Sequence, residues 1–181
     1  DVDGDGLDDL LVGALGNSDG GNGAGKTYLI LGSSLGATSS IDLSSADYSF
    51  IGENAGDYAG YSVSSAGDVD GDGLDDLLVG ALRNADGGID AGKAYLILAA
   101  SLGTTAEIDL SDADYAFVGE NAHDYAGHSV ASAGDVDGDG LDDLLIGAYG
   151  NDDGGGFVAG KSYLFLGSSI ASGGTFDLSG A

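Results

Sequence analysis

Apolar residues in this chain come in short runs rather than at helical intervals. Asp76-Leu-Leu-Val-Gly-Ala81 is a continuous apolar run closed by glycine, the pattern of a strand buried on both faces. Lys93-Ala-Tyr-Leu-Ile-Leu98 and Tyr115-Ala-Phe-Val-Gly119 are rich in β-formers, and Tyr61-Ser-Val-Ser-Ser-Ala66 alternates with period two. Turn-forming segments such as Asn84-Ala-Asp-Gly-Gly88 separate them, together with a longer polar connection that ends in Ile108-Asp-Leu110. No long stretch carries a convincing 3.6-residue period, and 36 glycines are scattered throughout. The pattern predicts an all-β fold.

The pattern also repeats. Residues 1–67 and 68–134 align without a gap and agree at 51 of 67 positions. A third copy, 135–181, carries one inserted residue before Lys161 and is incomplete. The period is too long for leucine-rich, ankyrin or helical-pair repeats, and for nonapeptide calcium repeats. It suits four short strands with their loops, which is the arithmetic of a β-propeller blade. The expected chain then holds ten strands: three, four and three in successive blades. Three blades do not ordinarily close a ring, so we expect either further blades in a parent chain or self-association.

Each copy opens on the same nine residues, Asp-Val-Asp-Gly-Asp-Gly-Leu-Asp-Asp, at 1–9, 68–76 and 135–143. Asp68, Asp70, Asp72 and Asp76 stand at loop positions 1, 3, 5 and 9, with Gly73 at position 6 where the chain must reverse. Carboxylates crowded at this spacing repel unless a cation lies among them, and an all-oxygen donor set suits Ca²⁺. The backbone carbonyl of Leu74, at position 7, is the expected fifth protein ligand. The same reading assigns Asp1, Asp3, Asp5, Leu7 and Asp9 in the first copy, and Asp135, Asp137, Asp139, Leu141 and Asp143 in the third. About three Ca²⁺ ions, one per repeat, are expected. An EF-hand shares this opening but needs a bidentate Glu at position 12 and flanking helices. Position 12 is Val12, Val79 and Ile146, so a nine-residue loop leading into a strand fits instead.

Charge sharpens the picture. The net charge is −27, from 31 acidic and four basic residues, and fifteen of the acids lie in the three loops. Three Ca²⁺ ions would leave about −21, so nucleic acid and anionic membranes are poor partners. Cysteine is absent, which excludes a disulfide framework, a thiolate metal site and a cysteine nucleophile. No apolar run is long enough for a membrane-spanning helix, and no signal peptide is visible. With no Met and a start inside a motif, the sequence reads as a piece of something longer.

Tyr58-Ala-Gly-Tyr-Ser-Val-Ser-Ser-Ala-Gly-Asp-Val-Asp-Gly-Asp-Gly-Leu-Asp-Asp-Leu-Leu-Val-Gly-Ala81 resembles the FG-GAP repeat of integrin α-subunit propellers and their bacterial relatives. Tyr58-Ala59-Gly60 stands near the family's Phe-Gly, and Val79-Gly80-Ala81 near its Gly-Ala-Pro, without the proline. The resemblance implies about three consecutive blades of a larger, seven-bladed propeller, with Ca²⁺ held in the hairpin between the first two strands of a blade. It also implies a non-catalytic, extracellular or cell-surface module with a structural or adhesive role. A protein or glycan ligand on a propeller face would fit that role. The alternative is a propeller attached to a secreted polysaccharide- or phospholipid-degrading hydrolase whose catalytic residues lie elsewhere.

Other candidates carry less. Gly127-His-Ser-Val-Ala131 looks like a nucleophile elbow lacking its last glycine and its strand-to-helix setting, so Ser129 is not expected to be catalytic. His123 and His128 correspond to Gly56 and Tyr61, and are expected at surface or rim positions. Lys26, Lys93 and Lys161 recur at one repeat position. They could bind a ligand, but ion pairing with acidic neighbours is the favoured reading. Glu53, Asp57, Glu120 and Asp124 recur in Gly-Glu-Asn-x-x-Asp-Tyr, and either a second cation site or a turn cap is open to them.

Overall fold

The computed structural model describes residues 1–36, 40–170 and 174–180. Strands β1 (Leu10–Ala14), β2 (Lys26–Ile30) and β3 (Tyr48–Ile51) form the first blade. β4 (Ala59–Gly67), β5 (Asp76–Ala81), β6 (Lys93–Ile97) and β8 (Tyr115–Val118) form the second. β9 (Ala126–Gly134), β10 (Asp143–Ala148) and β11 (Lys161–Phe165) form the third. Successive strands within each blade pair antiparallel. Among the described residues the only helices are three-residue 3₁₀ turns.

The ten expected strands are joined by two more, both in connections that the sequence presents as polar loops. β7 (Glu107–Asp109) leaves its own repeat and pairs parallel to β3, with Phe50 opposite Ile108. β12 (Gly174–Asp177) does the same to β8, with Phe117 opposite Phe176. Each donated strand covers the outer edge of the preceding blade, where unpaired N–H and C=O groups would otherwise face water.

The core lies between blades. Leu77, Val79 and Ala81 of β5 pack with Leu29, Phe50 and Tyr95 against the first blade. Leu78, on the opposite face, joins Leu96, Phe117, Leu144 and Ile146 against the third. Both faces of β5 are therefore buried, which explains why its sequence is continuously apolar rather than alternating. Phe117 is fully buried, and its burial alone contributes roughly 1.5–3 kcal/mol.

Close approach of the inner strands fixes two glycines. A Cβ on Gly80 would lie 2.0 Å from the Gly127 carbonyl oxygen of the next blade, and one on Gly13 would lie 2.0 Å from that of Gly60. Gly60 and Gly127 themselves hold φ of 77° and 76°, which L side chains disfavour. The glycines of the Gly-Ala and Tyr-Ala-Gly segments thus meet each other across the blade interface.

Candidate metal centre

The second and third nine-residue loops turn between two strands, the first leads into β1, and each is built by its own aspartates. In the second, the Asp68 carboxylate accepts hydrogen bonds from the Gly71 and Gly73 N–H groups at 2.7 and 3.0 Å. Asp70 accepts from Asp72 N–H at 3.1 Å, and Asp72 from Leu74 N–H at 2.9 Å. Gly71 and Gly73 have φ of 81° and 90°, a conformation that keeps the short loop turning inward. The first and third loops repeat this ladder residue for residue.

The ladder gathers carboxylates. Ligand-capable oxygens of Asp1, Asp3 and Asp5 lie within 4.8 Å of one another, as do those of Asp68, Asp70 and Asp76, and of Asp135, Asp137 and Asp143. Each trio offers only hard oxygen donors. Asp76 is fully buried at the base of its loop, accepting from Val69 N–H at 3.0 Å and Ala99 N–H at 2.9 Å. Burial, opposed by those two hydrogen bonds and reinforced by the charges of Asp70 and Asp72, pushes its carboxyl up to about 6. Asp9 and Asp143 hold the same two bonds in their own loops, to Val2 and Gly32 and to Val136 and Gly167.

Comparison with known proteins then identifies the repeat. The family model for the FG-GAP repeat matches residues 59–97 and 126–165. The chain carries FG-GAP repeats. It is 39% identical to integrin alpha-5 of Xenopus laevis over 107 residues, covering 56% of this chain and 9% of that protein. It is 30% identical to integrin alpha-PS2 of Drosophila melanogaster over 158 residues, covering 84% and 11%. The chain thus spans about a tenth of the length of these curated relatives.

Within the FG-GAP frame, the residues expected as ligands separate into two sets. The structure brings together Asp1, Asp3 and Asp5 in the first loop, but the position-9 residue rather than the position-5 residue in the other two. Asp9, Asp72 and Asp139 stand outside the tight trios. Asp72 and Asp139 instead cap the turn through Leu74 and Leu141 N–H, the carbonyls of those leucines being the expected position-7 donors.

Position 8 is the residue near the loops that the sequence reading passed over. The Asp142 N–H donates to the Asp68 carbonyl at 2.9 Å, and the Asp142 carboxylate accepts from the Asp68 N–H at 3.0 Å. Asp75 holds Asp1 from the same side, its N–H donating to the Asp1 carbonyl at 3.1 Å and its carboxylate accepting from the Asp1 α-ammonium at 2.8 Å. The available signal was that Asp8, Asp75 and Asp142 recur with no ligand position to fill.

The far end of each blade carries a second polar cluster. Lys93, 6% exposed, bonds Glu53 and Asp86, each at 2.8 Å. Tyr95 donates to Glu53 at 2.8 Å, and buried Asn84 donates to Glu53 at 3.2 Å and to Asp57 at 2.8 Å. Burial alone would lower the Lys93 pKa, but Asp86 and Glu53 outweigh it and hold it above the usual range. Lys161 pairs likewise with Glu120 and Asp153, and Asn151 with Glu120 and Asp124. Lys26 pairs with Asp19 and with Glu107 of the donated strand. These lysines are ion-paired, and the Glu-Asn-x-x-Asp segments clamp one repeat onto the next.

Ser129 lies mid-strand in β9 opposite Gly147, not on an elbow. His128 packs between Tyr61 and Tyr149 in tilted contacts with ring centroids 5.1 and 4.5 Å apart, and His123 is 60% exposed beside Asp90.

Proposed function

We propose that this chain is a non-catalytic, calcium-binding FG-GAP propeller segment with a structural or adhesive role in an extracellular or cell-surface protein. The observation that carries this reading is the threefold recurrence of a preformed oxygen trio on an amide-braced loop. Position 1, 3, 5 and 9 aspartates and the Leu7, Leu74 and Leu141 carbonyls would hold one Ca²⁺ per loop, six or more oxygens being completed by water. The ion would neutralise crowded carboxylates and favour the charged form of Asp76, reversing the effect of its burial.

Calcium then acts by mass action on folding, because only the folded loop gathers the ligands. At 100 times the dissociation constant each independent site adds roughly 2.7 kcal/mol. Melting the chain in millimolar Ca²⁺ and in EGTA tests this; a sharp drop in melting temperature on chelation is expected, and coincident curves would overturn it. The likeness to integrin alpha chains favours the cell surface and adhesion over attachment to a hydrolase. Partners would be further blades of the parent chain, a second copy, or a protein or glycan on a propeller face.

A further inference from the structure

We infer that neighbouring loops bind calcium with positive cooperativity, and that Asp75 and Asp142 are the positioning residues that couple them. The inference rests on the calcium reading above and concerns how the sites communicate. Three consecutive residues of the third loop straddle two sites. Leu141 and Asp143 are proposed donors to their own ion, through a carbonyl and a carboxylate. Asp142 between them faces the other way and grips both backbone polar atoms of Asp68, the first residue of the second loop.

The grip is close on every side. A Cβ on Gly67 would lie 1.9 Å from an Asp142 carboxylate oxygen, so only glycine, at its φ of 75°, leaves room for the contact. The Leu141 side chain lies over Gly71, whose Cβ would meet its Cδ2 at 3.0 Å, and Leu74 covers Gly4 at 3.1 Å. Asp68 in turn braces Gly71 and Gly73 through its own carboxylate. A shift of Asp68 would therefore disturb its whole ladder.

An ion in the third loop fixes residues 141 and 143, and with them the residue between. That pre-organises Asp68 before the second loop meets its own ion, so the second site binds more tightly. Ordering completed by one ligand need not be repeated for the next. The coupling runs between neighbours and is reciprocal: Asp142 links the third loop to the second, and Asp75 links the second to the first. Gly134, the counterpart of Gly67, has nothing within 4 Å of its Cβ position, and Asp135 has no such grip among the described residues.

Calorimetric Ca²⁺ titration of the 181-residue chain tests the coupling. The wild type should show three sites with positive cooperativity. Asp137→Asn/Asp139→Asn, which disables the third loop while touching no contact between loops, should leave two sites, the second loop binding about tenfold more weakly. Asp142→Ala should keep three sites but weaken the second loop about tenfold, the scale of one lost charge-assisted hydrogen bond. Asp142→Asn, which retains an acceptor oxygen, should recover most of that loss. Should Asp142→Ala fail to fold by circular dichroism, the third-loop variant still decides. Remaining constants within twofold of wild type in that variant would overturn the coupling alone. No binding by the wild type at millimolar Ca²⁺ would remove the calcium reading itself.

Discussion

The second and third blades share almost the same sequence and live in different surroundings. Asp76-Leu-Leu-Val-Gly-Ala81 is buried at every position, whereas Asp143-Leu-Leu-Ile-Gly-Ala148 leaves Leu145 40% exposed. Leu96 is fully buried and its counterpart Leu164 is 46% exposed. Lys93 is 6% exposed and Lys161 39%. The second blade has a neighbour on each face, and the described third blade has one. Burial here belongs to the interface rather than to the residue, as expected of an array whose energy is a sum over nearest neighbours.

That contrast can be broken by mutation. Lys93→Ala leaves the largely buried Glu53 carboxylate without its cation and should cost about 3 kcal/mol. Lys161 is itself 39% exposed, so Lys161→Ala lets water reach Glu120 in its place and should cost under about 1 kcal/mol. Denaturant melts of both variants at matched Ca²⁺ give the ratio, and equal losses would refute the interface account. Gly80→Ala should cost about 2 kcal/mol, since its methyl meets a backbone carbonyl that cannot move without parting the blades. Gly147→Ala meets only the Ser129 hydroxyl, which can rotate away, and should change stability by less than about 0.5 kcal/mol.

Acidity should weaken calcium binding in the enclosed blade. With the metal-free Asp76 carboxyl near 6, the ion must displace a proton below that pH, so affinity at the second loop should fall about tenfold from pH 7 to pH 5. In the metal-free chain the sign is opposite. A carboxyl raised on folding stabilises fully below its ordinary pKa of 3.8, and that contribution is lost as pH rises through about 6. Titrations and EGTA melts across this range separate the two. A gain is expected at Val158, a β-branched residue at φ 56° where the other blades place Gly23 and Asp90. Val158→Asn should stabilise by about 1 kcal/mol, read as a rise in melting temperature.

Much of this was legible in the chain itself. Tight Asp spacing located the three loops, and the uninterrupted apolar run of 77–79 announced a strand covered on both sides. What escaped was everything between repeats. Glu107-Ile-Asp109 is too short and too charged to read as a strand, and it becomes one only because β3 offers an open edge. Lys93 and Glu53 each recur visibly, yet their pairing joins residues 40 apart across a blade boundary, which no local pattern reports. Asp142 was hidden differently, as the one aspartate of its motif with no ligand position, whose partner lies 74 residues away in the neighbouring loop.

The donated strands β7 and β12 leave the units of inheritance and the units of architecture out of phase. An array lengthened or shortened by whole 67-residue periods keeps every donor supplied with an acceptor. A break at any other spacing orphans one. Growth by duplication is therefore structurally silent, and a blade can be peeled away only by drawing a strand out of the sheet beside it.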